Sequence, residues 1–133
     1  MPTLGDMVAR LESNYGAANA RQPPSMVNPT YGQYGAFVRQ FGDGEIGVNN
    51  FAQQTLAANP NATVGDFYAG YVLGTGVPGR YTAADLASTS VPGAQGAYNN
   101  MVRNSPIDPN APLADYVNNP QGPNRFFAEV GAD

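Results

Sequence analysis

Thr3-Leu4-Gly5-Asp6-Met7-Val8-Ala9-Arg10-Leu11-Glu12 holds the two signals that set the fold class. The first is a start signal. A Thr three residues ahead of an Asp can accept a backbone N–H bond at the helix N-terminus while the Asp reaches back to the Thr N–H. The second is a period. Leu4, Met7, Val8 and Leu11 fall at i, i+3, i+4 and i+7, which lines one face of a helix with apolar side chains. The same Thr-x-x-Asp pattern recurs at Thr63-Val64-Gly65-Asp66 and at Thr82-Ala83-Ala84-Asp85. These patterns predict helices starting at 3, 63 and 82, and they give Asp6, Asp66 and Asp85 a structural role.

Working outward, a second helical stretch is predicted from about Tyr31 to Phe41, with Tyr34, Phe37, Val38 and Phe41 on one side, broken by Gly42-Asp43-Gly44. A third runs from Glu45 to Ala58 with Ile46, Val48, Phe51 and Leu56 as its apolar residues, ending before Asn59-Pro60. The helix from Thr63 carries Phe67, Tyr68, Tyr71 and Val72 and stops at Gly74-Thr75-Gly76. Beyond Thr82 the pattern predicts a short helix to Ser88, another near Gln95–Arg103, a turn at 112–118 and a last helix near 123–130. Residues 16–30 read as a loop. No clean period-2 alternation is present, so the expected fold is mainly α, with long Pro/Gly-rich loops and an irregular C-terminal tail.

The 133 residues allow one domain, read as a core over 1–90 with a Pro-rich extension over 91–133 packed on it. The extension is punctuated by Val91-Pro92-Gly93, Ser105-Pro106, Asp108-Pro109, Ala111-Pro112 and Asn119-Pro120, which favour extended arms or short helices.

Composition excludes much chemistry. The chain has no His, Cys, Trp or Lys, and its six basic residues are all Arg. A His base, a thiol or amine nucleophile and a Cys/His metal site are therefore ruled out. The net charge of −4 argues against nucleic acid as a partner. No apolar run is long enough to span a bilayer. Residues 1–6 show neither the basic nor the apolar region of a secretory signal. Asp43-x-Glu45 lacks the further ligands of a calcium loop. Gly74-x-Gly76 lacks the Lys and the preceding strand of a phosphate cradle.

Ten carboxylates remain for chemistry, of which three are Glu: Glu12, Glu45 and Glu129. Glu12 lies one position beyond Leu11 and one turn beyond Val8, on the flank of the apolar stripe. A carboxyl at the border of core and solvent is partly desolvated, which raises its pKa toward that of a useful general acid.

Glu12-Ser13 at the end of the first helix resembles the Glu-Ser of lytic transglycosylases and goose-type lysozymes. Ala17-Ala18-Asn19-Ala20 followed by Thr30-Tyr31-Gly32-Gln33-Tyr34-Gly35 is similar to that family's Asn/Ala-rich loop and its Gly-x-x-Gln element. Ala69-Gly70-Tyr71-Val72-Leu73-Gly74-Thr75-Gly76 is similar in position to its Tyr-Asn-Ala-Gly motif. The likeness covers residues 3–80, and the phage-encoded muralytic branch is the one it looks most like. It implies a lysozyme-like helical domain that cleaves the MurNAc–GlcNAc bond of peptidoglycan. Glu12 would be the catalytic acid/base, with Ser13, Gln33, Tyr34 and Tyr71 as substrate contacts. Two departures stand out: the motif's Gln is either Gln33, directly after Gly32, or is replaced by Gly35, and Val72 replaces the motif's Asn. The resemblance implies glycan strands as partner, the tail as a site for other virion proteins, and a virion-associated or wall-delivered location. It implies no metal and no cofactor. A non-catalytic virion component or a glycan-binding module on the same scaffold is the alternative. Asp43 and Glu45 form a reserve: a second carboxylate facing Glu12 would favour hydrolysis over anhydro-sugar formation.

Overall fold

Three helix starts in this structure, a computed structural model that describes residues 2–12, 32–42 and 44–117, use the same reciprocal cap. The Thr3 N–H donates to Asp6 Oδ2 at 2.8 Å, and the Asp6 N–H donates to Thr3 Oγ1 at 3.1 Å. The pair recurs between Thr63 and Asp66 at 2.9 and 3.1 Å, and between Thr82 and Asp85 at 2.8 and 3.3 Å. These caps begin α1 (Leu4–Glu12), α4 (Val64–Leu73) and α5 (Ala83–Ser88). The other elements are α2 (Gly32–Phe41), α3 (Gly44–Ala58), α6 (Ala94–Asn104) and the single turn α7 (Ala114–Val117). Among the described residues there is no β-strand, only an isolated bridge between Thr63 and Pro112. The architecture is mainly helical.

The apolar stripe of α1 buries Leu4, Met7, Val8 and Leu11. It packs on α3 and α6, while α4 packs on α5 and α6. The centre is aromatic. Phe37 and Phe41 of α2 approach each other at 5.0 Å, Phe41 meets Phe51 at 5.2 Å, and Phe51 meets Phe67 at 5.7 Å between ring centroids. On α3 the buried positions include Val48, Phe51, Ala52 and Thr55, again i, i+3, i+4 and i+7. Ile46 precedes Val48 by two residues, about 200° around the helix, and is 46% exposed rather than in the core. Thr55 satisfies its buried hydroxyl by donating to the Phe51 carbonyl at 2.9 Å.

The corner between α2 and α3 is made by glycine. Gly42 has φ +108°, a conformation that L side chains avoid. A Cβ on Gly47 would land on the Gly42 carbonyl, so α3 can cross the end of α2 this closely only with glycine there. Asn50 then donates its Nδ2 to the Phe41 carbonyl at 2.8 Å and closes that helix end.

The stretch after α6 is tied to the start of α4. The N–H groups of Val64 and Gly65 donate to the carbonyls of Ala111 (2.9 Å) and Pro109 (2.8 Å), and Leu113 N–H donates back to the Ala62 carbonyl at 3.0 Å. With Asp66 N–H on Thr63 Oγ1 and Phe67 N–H on the Thr63 carbonyl, all four leading donors of α4 have partners. Asp66 does double duty, since its Oδ1 accepts from the Ala83 N–H at 2.8 Å and so ties the start of α5 to that of α4. Ala94, Met101, Ile107, Leu113 and Val117 belong to the same buried cluster as Leu4 and Phe67. The helix expected near 123–130 lies outside the described residues.

Candidate functional site

Glu12 stands where two helices meet. The Thr3 cap and the buried stripe fix the register of α1, and that register leaves Glu12 beside the core face at the helix end. From α4, Tyr68 donates its hydroxyl to Glu12 Oε2 at 3.0 Å. Tyr68 is otherwise fully buried. Glu12 as a whole is exposed, yet its carboxyl has protein packed around it on the Tyr68 side. Burial raises its pKa above the ordinary value of 4.5, and the hydrogen bond from Tyr68 offsets part of that rise. The result is a carboxyl that keeps its proton further toward neutrality while retaining a solvent-facing side, which are the properties of a general acid.

Behind this pair the aromatic residues continue. The Tyr71 ring lies nearly parallel to Tyr68, with 6.3 Å between centroids and 12° between planes. Phe37 meets Tyr71 edge-on at 5.6 Å. Of the residues expected around the substrate, Tyr71 is therefore brought next to the ring that holds Glu12, and it is half-buried. Val72, at the motif's Asn position, packs against the core. Ser13 and Asp43 lie outside the described residues. Gln33 and Tyr34 fall in the first turns of α2, and their side chains lie outside the described ones.

Glu45 is removed from the reserve of second carboxylates. It is buried in the first turn of α3 and lines a small recess with Thr3, Leu4, Gly5, Val48, Asn49 and Tyr116. That recess adjoins the N-terminal end of α1, and Glu12 is at the other end, about 12 Å further along the axis. Paired glycosidase carboxylates stand roughly 5–9.5 Å apart. Asp6, Asp66 and Asp85 are occupied in helix caps, and Asp108 accepts from the Asn110 N–H in a turn at 2.9 Å. Among the described residues no three His, Cys, Asp or Glu converge where a metal could sit.

Two residues of this site were not singled out from the sequence. Tyr68 reads as core by its spacing from Phe67 and Tyr71. The signal was its hydroxyl, because a Tyr buried at an apolar position must find an acceptor. Asn100 of α6, also buried, donates its Nδ2 to the Leu11 carbonyl in the last turn of α1 at 3.2 Å. Its partner is 89 residues away in sequence, and no local pattern announces it. No helix among the described residues is long and apolar enough to cross a membrane. In comparisons with known proteins, no family model, no curated protein and no solved structure matches this chain.

Proposed function

We propose that this protein is a peptidoglycan-cleaving glycosidase of the lytic transglycosylase type, with Glu12 as its general acid and base. The observation that supports this best is the Glu12–Tyr68 pair: one carboxyl, desolvated on one side, oriented by a buried phenol and open on the other side. The order Glu12-Ser13, Gly32-Gln33 and Tyr71 along the chain is consistent with a lysozyme-like scaffold, which is part of the same proposal. So are the glycan strand as substrate and a virion-associated or wall-delivered setting.

In this reading Glu12 delivers its proton to the oxygen linking MurNAc to GlcNAc. The C1–O bond breaks as the N-acetyl oxygen of the same sugar closes on C1. The resulting Glu12 carboxylate then takes the proton of the 6-hydroxyl, whose oxygen bonds to C1 and releases the acetamido group, giving a 1,6-anhydro ring. One carboxyl suffices for both steps, in keeping with the placement of Glu45 at the far end of α1. Tyr71 and Tyr34 are proposed to flank the sugar, with Ser13 and Gln33 as polar contacts.

Incubation of the purified protein with peptidoglycan sacculi, followed by mass spectrometry of the soluble products, tests the proposal. Anhydro-muropeptides are expected from the native chain, with a loss of about 10²-fold or more in Glu12→Gln. Reducing-end products would redirect the mechanism to hydrolysis. Absence of products from folded protein would favour a non-catalytic virion component.

A further inference from the structure

Helix α6 holds the end of α1 with one side chain. Asn100 is 5% exposed, and its Nδ2 donates to the Leu11 carbonyl at 3.2 Å. That carbonyl belongs to the peptide unit joining residues 11 and 12. Because a peptide is planar, the Leu11 C=O and the Glu12 N and Cα move as one body. Fixing the oxygen fixes the plane from which the Glu12 side chain departs. Asn104 adds a further constraint: its Nδ2 donates to Asn100 Oδ1 at 2.7 Å. An amide that accepts on its oxygen turns its nitrogen the other way, so Asn104 orients the Asn100 amide with its donor toward α1. Glu12 is thereby held at both ends, the backbone from α6 and the carboxyl from Tyr68 of α4.

We propose that Asn100 is a positioning residue for Glu12, setting from α6 where the carboxyl stands relative to Tyr68 and the bound glycan. The proposal rests on the glycosidase reading for its catalytic meaning. The plainer account is that Asn100 merely satisfies a helix-end carbonyl. The molecule contains a matched control for that account: Asn50 makes the same kind of bond to the Phe41 carbonyl at the end of α2, at 2.8 Å.

The test compares Asn100→Ala, Asn104→Ala and Asn50→Ala in the full chain. Glu12 is followed through a pH titration by NMR of ¹³C-labelled carboxyls, assigned with Glu12→Gln, and turnover is measured on solubilised glycan strands. In Asn100→Ala the freed carboxyl gains water, so its midpoint should fall toward the ordinary 4.5. Turnover should drop about 10- to 100-fold, the cost of a small misplacement, with KM little changed. Asn104→Ala should move both quantities the same way but less. Asn50→Ala should lower the melting temperature and leave the Glu12 midpoint in place. An unmoved midpoint in Asn100→Ala, or an equal shift in Asn50→Ala, overturns the proposal. Should Asn100→Ala fail to fold, Asn104→Ala decides in its place, since Asn104 is exposed. If the native chain releases no glycan products, the glycosidase reading fails, while the titration still decides whether Asn100 places Glu12.

Discussion

At the scale of the residue, the burial that suits Glu12 to the proposed acid–base role also ties stability to pH. Its folded pKa is raised by burial, so the native state binds the proton more tightly than the unfolded chain does. The stabilising contribution is complete below the unfolded value of 4.5 and is lost as pH rises through the folded midpoint. At neutral pH the ionised carboxyl sits partly desolvated, a cost to the fold. Glu12→Gln keeps the shape and an acceptor for the Tyr68 hydroxyl but carries no charge. Thermal unfolding of both proteins from pH 4 to pH 8 should therefore show the Gln variant pulling ahead of the native chain as pH rises. A native chain that gained on the variant with rising pH would contradict the burial of this carboxyl. That the Glu12 carboxyl stands partly desolvated was legible in the sequence, because it lies one position past the apolar stripe of α1. That Tyr68 holds it was not, since helical spacing assigns Tyr68 to the core and says nothing of where its hydroxyl ends.

At the scale of the element, the caps show why some of the fold was readable. Each Thr-x-x-Asp box is a local structure, closed within four residues, so its sequence pattern and its geometry coincide. The α2–α3 corner was readable for the same reason, through Gly42 and Gly44. The face of α3 was less so, because Ile46 and Val48 are equally apolar and only the tertiary neighbours decide between them. The boxes also differ in what depends on them. The cap at Thr82 is exposed, whereas the cap at Thr63 sits beside the bonds to Pro109 and Ala111 and shares Asp66 with α5. Losing a Thr cap costs about 1 kcal/mol, with a range of roughly 0.5–2. Thr63→Ala should fall in the upper part of that range and Thr82→Ala in the lower, as measured by urea unfolding. Equal costs would show that the bonds around Asp66 act independently.

At the scale of the whole molecule, the core is closed by residues distant in sequence. Leu113 is fully buried, and its N–H reaches the Ala62 carbonyl in front of α4. Pro-rich punctuation at 105–112 announces irregular backbone but not where that backbone docks, and so this part of the fold was hidden from the sequence. Leu113→Ala should cost about 2–5 kcal/mol, as for other buried Leu positions, a large share of the roughly 5–15 kcal/mol that stabilises a domain of this kind. Calorimetry should show one cooperative transition moved to lower temperature. A separate early transition, with the rest of the protein unaffected, would mean that 105–117 is an independent appendage.

The bonds from Val64 and Gly65 to residues 111 and 109 also fix when, during synthesis, the start of α4 can be completed. A chain emerging from the ribosome presents α1 to α4 first, when the Val64 and Gly65 amides at the start of α4 have only water for partners. Asn100, which steadies Glu12, and the carbonyls that finish α4 all emerge later. Until about residue 100 has emerged, a nascent chain therefore carries the Glu12 carboxyl without the α6 amide that holds the Leu11 carbonyl.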